Sequence, residues 1–192
     1  MFFLINPDTI YLMKKIAIII AFKDFRDEEY FETKRILENS GLKTKTFSNE
    51  KGIAIGKFGG EVNIDEIIDN LDINEFDAFI FIGGPGAIPL LDNSISYNII
   101  KKGFDDKKLI AAICIAPVIL AKSGILKDKQ ATVWSSNMDK SGIKILKENN
   151  AIFKDNPVVC DKNIVTANGP EAISEFSKRI IDKIKEIDII QT

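Results

Sequence analysis

The apolar positions of this chain fall into short unbroken runs separated by segments of helical period. Apart from Lys15 and Asp77, residues 15–22, 76–82 and 109–113 are apolar runs rich in isoleucine, phenylalanine and alanine. Runs of this length suit strands covered on both faces. Residues 27–41, DEEYFETKRILENSG, place Tyr30, Phe31, Ile36 and Leu37 at helical period, with Gly41 as the stop and Asp24 or Asp27 as the cap. Residues 42–48 alternate as a strand, 52–64 read as a glycine-rich hairpin, and 67–71 as a short helix. Asp92-Asn93-Ser94 predicts a helix through Lys102, and residues 116–123 another, ended by Gly124. A strand at 131–134 and a helix at 139–149 follow. Residues 158–160 and 164–167 form a hairpin around Asp161-Lys162-Asn163, and 171–187 a final amphipathic helix. Strands alternating with helices predict a parallel sheet with helices on both faces. No repeat or linker divides the chain. Met13-Lys14-Lys15 looks like a natural start, so residues 1–12 read as an N-terminal extension and 13–192 as one domain.

Composition narrows the function. The chain has 192 residues, 45% of them apolar and 28% charged, enough for one sizeable core. A net charge of -2 and the lack of a basic stripe predict no nucleic-acid partner. No apolar run approaches the roughly 18 residues of a membrane span. The first residues have the wrong charge layout for secretion. Two cysteines, Cys114 and Cys160, make no disulfide framework, so a cytoplasmic location is expected. Histidine is absent. That excludes Ser-His and Cys-His catalysis and imidazole ligands, so neither a metal nor a cofactor is expected.

Ligands of parallel sheets bind at the carboxyl ends of strands. Two strand ends stand out: Gly83-Gly84-Pro85-Gly86 and Cys114. The glycine turn lacks the GKS or GKT of a phosphate loop. Cys114 sits where a buried strand turns sharply into a helix. Such an elbow holds a nucleophile exposed, and the helix start favours thiolate over thiol, which predicts a lowered cysteine pKa. The Ile115 N–H points where an oxyanion would develop. By residue pattern alone, a buried inert thiol fits equally well. Cys160 reads as structural or incidental, with a Cys114–Cys160 disulfide as the alternative. Trp134, Ser135 and Ser136 are candidates for pocket lining or for packing, and either serine lacks a base.

Four stretches carry a family resemblance over residues 13–187: FRDEEYFETKRILENSG, FDAFIFIGGPGA, LIAAICIAPVILAKSGIL and IVTANGPEAISEF. In order and spacing they resemble the superfamily of the PfpI intracellular protease and the Parkinsonism-associated deglycase. The resemblance implies a flavodoxin-like three-layer α/β/α sandwich with a mainly parallel sheet and a nucleophile elbow. It implies Cys114 as nucleophile or redox thiol, Glu29 as the carboxyl beside it, and Gly84 and Ile115 as backbone N–H donors. It also implies a homodimer or larger homo-oligomer. The chain departs from the family where protease-like members have histidine after the cysteine. Here that residue is Ile115, and the deglycase branch's histidine region is Trp134-Ser135-Ser136. The amidotransferase relatives need a late His-Glu pair that this chain lacks. The implied activity is therefore a glyoxalase or deglycase acting on small carbonyl compounds, with Glu29 as acid and base. The alternative is a redox-responsive stress or chaperone-like protein, and a PfpI-type peptidase is weaker.

Overall fold

The computed structural model describes residues 14–191; the extension expected over residues 1–12 lies outside them. The elements run in chain order as β1 (Lys15–Ile19), β2 (Lys23–Phe25), α1 (Asp27–Asn39), β3 (Lys43–Ser48), β4 (Ile53–Gly56), β5 (Glu61–Asn63) and β6 (Glu66–Ile67). Then come β7 (Ala78–Phe81), α2 (Ala87–Leu91), α3 (Ser94–Asp105), β8 (Leu109–Ile113), α4 (Pro117–Lys122) and β9 (Gln130–Ala131). The chain closes with α5 (Ser141–Glu148), β10 (Ile152–Phe153), β11 (Val158–Asp161), β12 (Ile164–Ala167) and α6 (Ile173–Gln191).

The main sheet has the order β11-β12-β8-β7-β1-β3-β6. All its pairings are parallel except β11 with β12, the hairpin expected from sequence. The isoleucine runs are explained by this position. In β1, Ile16 and Ile18 bury against α1 and α6, through Leu37, Phe176 and Ile180. Ala17 and Ile19 bury on the other face, with Ile100, Ile119 and Leu146 of α3, α4 and α5. A strand with two covered faces has no polar side to show, so the period of two disappears. The result is a three-layer α/β/α sandwich. Among the described residues no helix is long and apolar enough to cross a membrane.

Several expectations need correction. The strand expected at 131–134 shrinks to β9, which pairs only with β10 in a separate small sheet. The helix expected at 67–71 is a single tight turn, Ile68–Asn70, behind the two-residue strand β6. Neither Asp24 nor Asp27 caps α1; its cap position is Arg26, with no side-chain cap bond. Asp27 instead accepts the N–H groups of Phe58 (2.9 Å) and Gly60 (2.7 Å) and pins the β4–β5 turn to α1. A Cβ on Gly56 would lie 2.3 Å from Asp27 Oδ1, so only glycine lets the turn come this close. Asp27→Asn keeps one acceptor and turns a donor toward the other N–H. The loss should be about 1 kcal/mol, read from the urea midpoint. An unchanged midpoint would show that the turn does not depend on this carboxylate.

Candidate active site

The elbow follows directly from the end of β8. Cys114 has φ 61°, a left-handed conformation that costs a side-chain-bearing residue about 1–2 kcal/mol. Two bonds hold it there. Its N–H donates to Ala167 O of β12 (2.9 Å), and its carbonyl accepts the Trp134 N–H (2.8 Å). The strain is thus fixed from both sides, by a neighbouring strand and by the segment after β9. The adjacent strand, β7, ends at Phe81, two residues before Gly83. A Cβ on Gly83 would lie 2.5 Å from Cys114 Cβ and 2.9 Å from Glu29 Oε2. Glycine at this position lets strand end, thiol and carboxyl converge. Gly84 has φ 108° and abuts the Arg26 backbone, where an added Cβ would sit 2.5 Å from Arg26 N.

Glu29 stands in the first turn of α1 and is 0% exposed. Its Oε2 accepts the Gly83 N–H at 3.1 Å, and the carboxyl lies within hydrogen-bonding reach of the Cys114 thiol. Oε1 has no hydrogen-bond partner. A buried carboxylate oxygen without a donor is costly, so this environment favours the protonated acid. Burial raises the Glu29 pKa to about 7. The bonds from Cys114 and Gly83 and the charge of Arg26 act the other way.

The thiol does not follow the sequence expectation. Burial pushes Cys114 up, and the charge and hydrogen bond of Glu29 push it further. The N–H groups of Gly84 and Ile115, aimed at the sulfur, pull it down by less. Sequence reasoning counted the elbow's donors and missed the desolvation, the largest cause of the rise. Both groups rise chiefly because burial disfavours their charged forms, and the charge of Glu29 adds to the rise of the thiol. They form one proton-sharing pair rather than a free thiolate beside an acid.

The sulfur opens into a cavity of about 410 Å³. Ile115, Val118, Ile88, Ile145 and Trp134 supply its apolar wall, and Arg26, Lys57, Asp139 and Ser141 its polar rim. Trp134 therefore lines the cavity, while Ser135 and Ser136 are not among its lining residues. Sequence reasoning missed Arg26 and Lys57. A glycine-flanked GKFGG turn signals a loop but not what it faces. Cys160 lies exposed on β11, and both thiols are free. Among the described residues no group of Cys, Asp and Glu is placed to hold a metal ion.

The DJ-1/PfpI family model matches residues 14–183. General stress protein 18 of Bacillus subtilis is 30% identical over 172 residues, 86% of this chain and 94% of its own. The deglycase TK1284 of Thermococcus kodakarensis is 29% identical over 169 residues, 88% of this chain and 99% of its own. Among solved structures, a ThiJ/PfpI domain protein from Brachyspira murdochii superposes with a TM-score of 0.84 at 35% identity, covering 90% of this chain and 96% of that one. With nearly all of its described length matched, the chain belongs to the DJ-1/PfpI family.

Proposed function

We propose that this chain is a cofactor-independent, cysteine-dependent enzyme acting on small reactive carbonyls such as methylglyoxal, with Cys114 as nucleophile and Glu29 as acid and base. One observation carries the reading. The thiol that lines the cavity lies within hydrogen-bonding reach of the buried Glu29 carboxyl, with the Gly84 and Ile115 N–H groups aimed at the same sulfur. Sulfur adds to the aldehyde carbon, and the thiol proton ends on the former carbonyl oxygen. Glu29 then removes the hydrogen on that carbon and returns a proton to the adjacent, former ketone carbon. The hydroxyl proton on the first carbon's oxygen passes to the oxygen of the former ketone, which leaves a thioester beside a new hydroxyl. Water cleaves the thioester and releases lactate and the free thiol. The sum is methylglyoxal plus water to lactate, with no redox partner. A carboxyl with a pKa of about 7 suits a proton relay at neutral pH. The name of the deglycase relative points the same way.

The test is lactate formation from methylglyoxal, which Cys114→Ala should abolish. A wild type without turnover, whose Cys114 is converted by peroxide to a stable sulfinate, would favour the second reading, a redox-responsive stress protein. The donors around the sulfur and the relative named as a general stress protein support that reading. A peptidase is disfavoured, because no subunit can supply a histidine. We carry homo-oligomerisation and a cytoplasmic location as parts of the same proposal. Light scattering on the purified chain tests the first.

A further inference from the structure

The cavity is larger than the smallest carbonyls need. Methylglyoxal has only a handful of heavy atoms, whereas cavities of roughly 300–1,000 Å³ take much larger ligands. The rest of the lining is charged: Arg26 and Lys57 share one aromatic neighbour and make a cationic side, and Asp139 is the anion of the lining.

The cationic side is built, not incidental. Arg26 lies 4.8 Å from the Phe58 ring centroid and Lys57 Nζ 5.7 Å, so one aromatic ring seats both cations. The turn that carries Lys57 and Phe58 is fixed by Asp27, by the Lys57 N–H donating to Phe25 O (2.9 Å), and by the Gly56 N–H donating to Gly60 O (2.8 Å). Arg26 is fixed in turn by its N–H on Gly83 O (3.0 Å), next to the turn that faces the sulfur.

The two cations differ in availability. Arg26 is already engaged by Glu28, with Nε 2.9 Å from Oε2 and Nη2 donating to Oε1 at 3.3 Å. Lys57 makes no ion pair among the described residues. Asp139, also in the lining, accepts the Ser141 N–H at 2.8 Å and stays anionic. One uncompensated positive charge therefore faces the cavity from the Lys57 side, with a partly neutralised guanidinium beside it. That suits a single carboxylate better than a phosphate dianion.

We propose that the cavity selects reactive carbonyls that also carry a carboxylate, with Lys57 as the specificity-determining residue and Arg26 as its support. The inference rests on the carbonyl chemistry assigned to Cys114 above. A substrate of this class adds its carbonyl carbon to the sulfur and sets its carboxylate at Lys57. The charge of Asp139 disfavours seating the carboxylate beside it.

Two alkylating reagents test the charge preference without any turnover. Iodoacetate and iodoacetamide have nearly the same size and the same leaving group. In both, sulfur forms a bond to carbon as iodide departs. Their second-order rates at Cys114 would be read by intact mass in a Cys160→Ser background. The expected iodoacetate-to-iodoacetamide ratio exceeds that of the neutral thiol 2-mercaptoethanol by about fivefold or more at low salt. It should shrink at high salt, collapse in Lys57→Gln, and return in Lys57→Arg. The substrate arm compares kcat/KM for dioxovalerate, a 2-oxoaldehyde bearing a carboxylate, with its uncharged methyl ester. The same preference for the anion and the same loss in Lys57→Gln are expected. Lys57 is exposed, so these variants should fold. If Cys114 reacts but the ratio matches 2-mercaptoethanol, or survives Lys57→Gln, the carboxylate preference is wrong while methylglyoxal turnover still stands. If neither reagent labels Cys114, the proposed carbonyl chemistry fails and this inference with it.

Discussion

Replacing Glu29 with glutamine should make Cys114 easier to ionise and the enzyme slower. These effects have opposite signs on what is usually read as one property. In the wild type, once Glu29 has lost its proton, the thiol must ionise against a buried negative charge a hydrogen bond away. Glutamine removes that charge, and its amide can donate to the sulfur. The midpoint of iodoacetamide labelling should fall by more than about one pH unit. Glutamine cannot carry a proton between adjacent carbons, so methylglyoxal turnover should drop by about 100-fold or more. The labelling is followed by intact mass across neutral and alkaline pH, with Cys160→Ser to keep the second thiol silent. An upward shift of the midpoint would mean that the Glu29 proton serves the thiolate as its main donor. Turnover that survives the substitution would remove Glu29 from the reaction altogether.

Folding stability should decline as pH rises through neutrality. The Glu29 carboxyl holds its proton more tightly in the folded chain, at about 7, than the ordinary value of 4.5. The stability this contributes is fully present below pH 4.5 and is lost as pH rises through 7. Between about pH 5.5 and about pH 8 the loss amounts to about 2 kcal/mol. The window is unusually clean because the chain has no histidine to titrate within it. Urea unfolding of wild type and Glu29→Gln, at the two pH values, reads the effect. The wild type should lose stability toward alkaline pH and the variant should be nearly flat. A wild-type stability that stays level or climbs would mean that Glu29 is ionised and satisfied in the folded chain at all these pH values.

The two predictions depend differently on what can be read along the chain. The strands β1, β7 and β8 are legible because a strand covered on both faces must be apolar at every position. The β11–β12 hairpin is legible through its Asp-Lys-Asn turn. The elbow is legible because an apolar strand, a lone cysteine and a helix start follow each other without a gap. Less was legible where neighbours rather than local pattern decide. The helix α2 is five residues of Ala87–Leu91 with a proline inside, and no periodicity marks it. The segment at 131–134 has the residues of a strand but only β10 as a ladder partner; the Thr132 N–H donates to the Thr166 hydroxyl instead, so pairing ends after two residues.

Sequence by itself determined the layered sandwich, the place of Cys114 at a strand end, and the exclusion of every mechanism that needs histidine. These follow from local patterns and from composition, which are properties of the chain alone. The place of Glu29 next to Cys114 came from the family resemblance and not from local pattern. Tertiary structure alone decided the sign of the cysteine's pKa shift, the Gly83 N–H bond that holds Glu29 beside the sulfur, and the charged lining of the cavity. Burial and separation set each of these. Glu29 and Cys114 are 85 residues apart in the chain, Asp27 and Gly60 are 33 apart, and a dielectric environment exists only once the segments have packed.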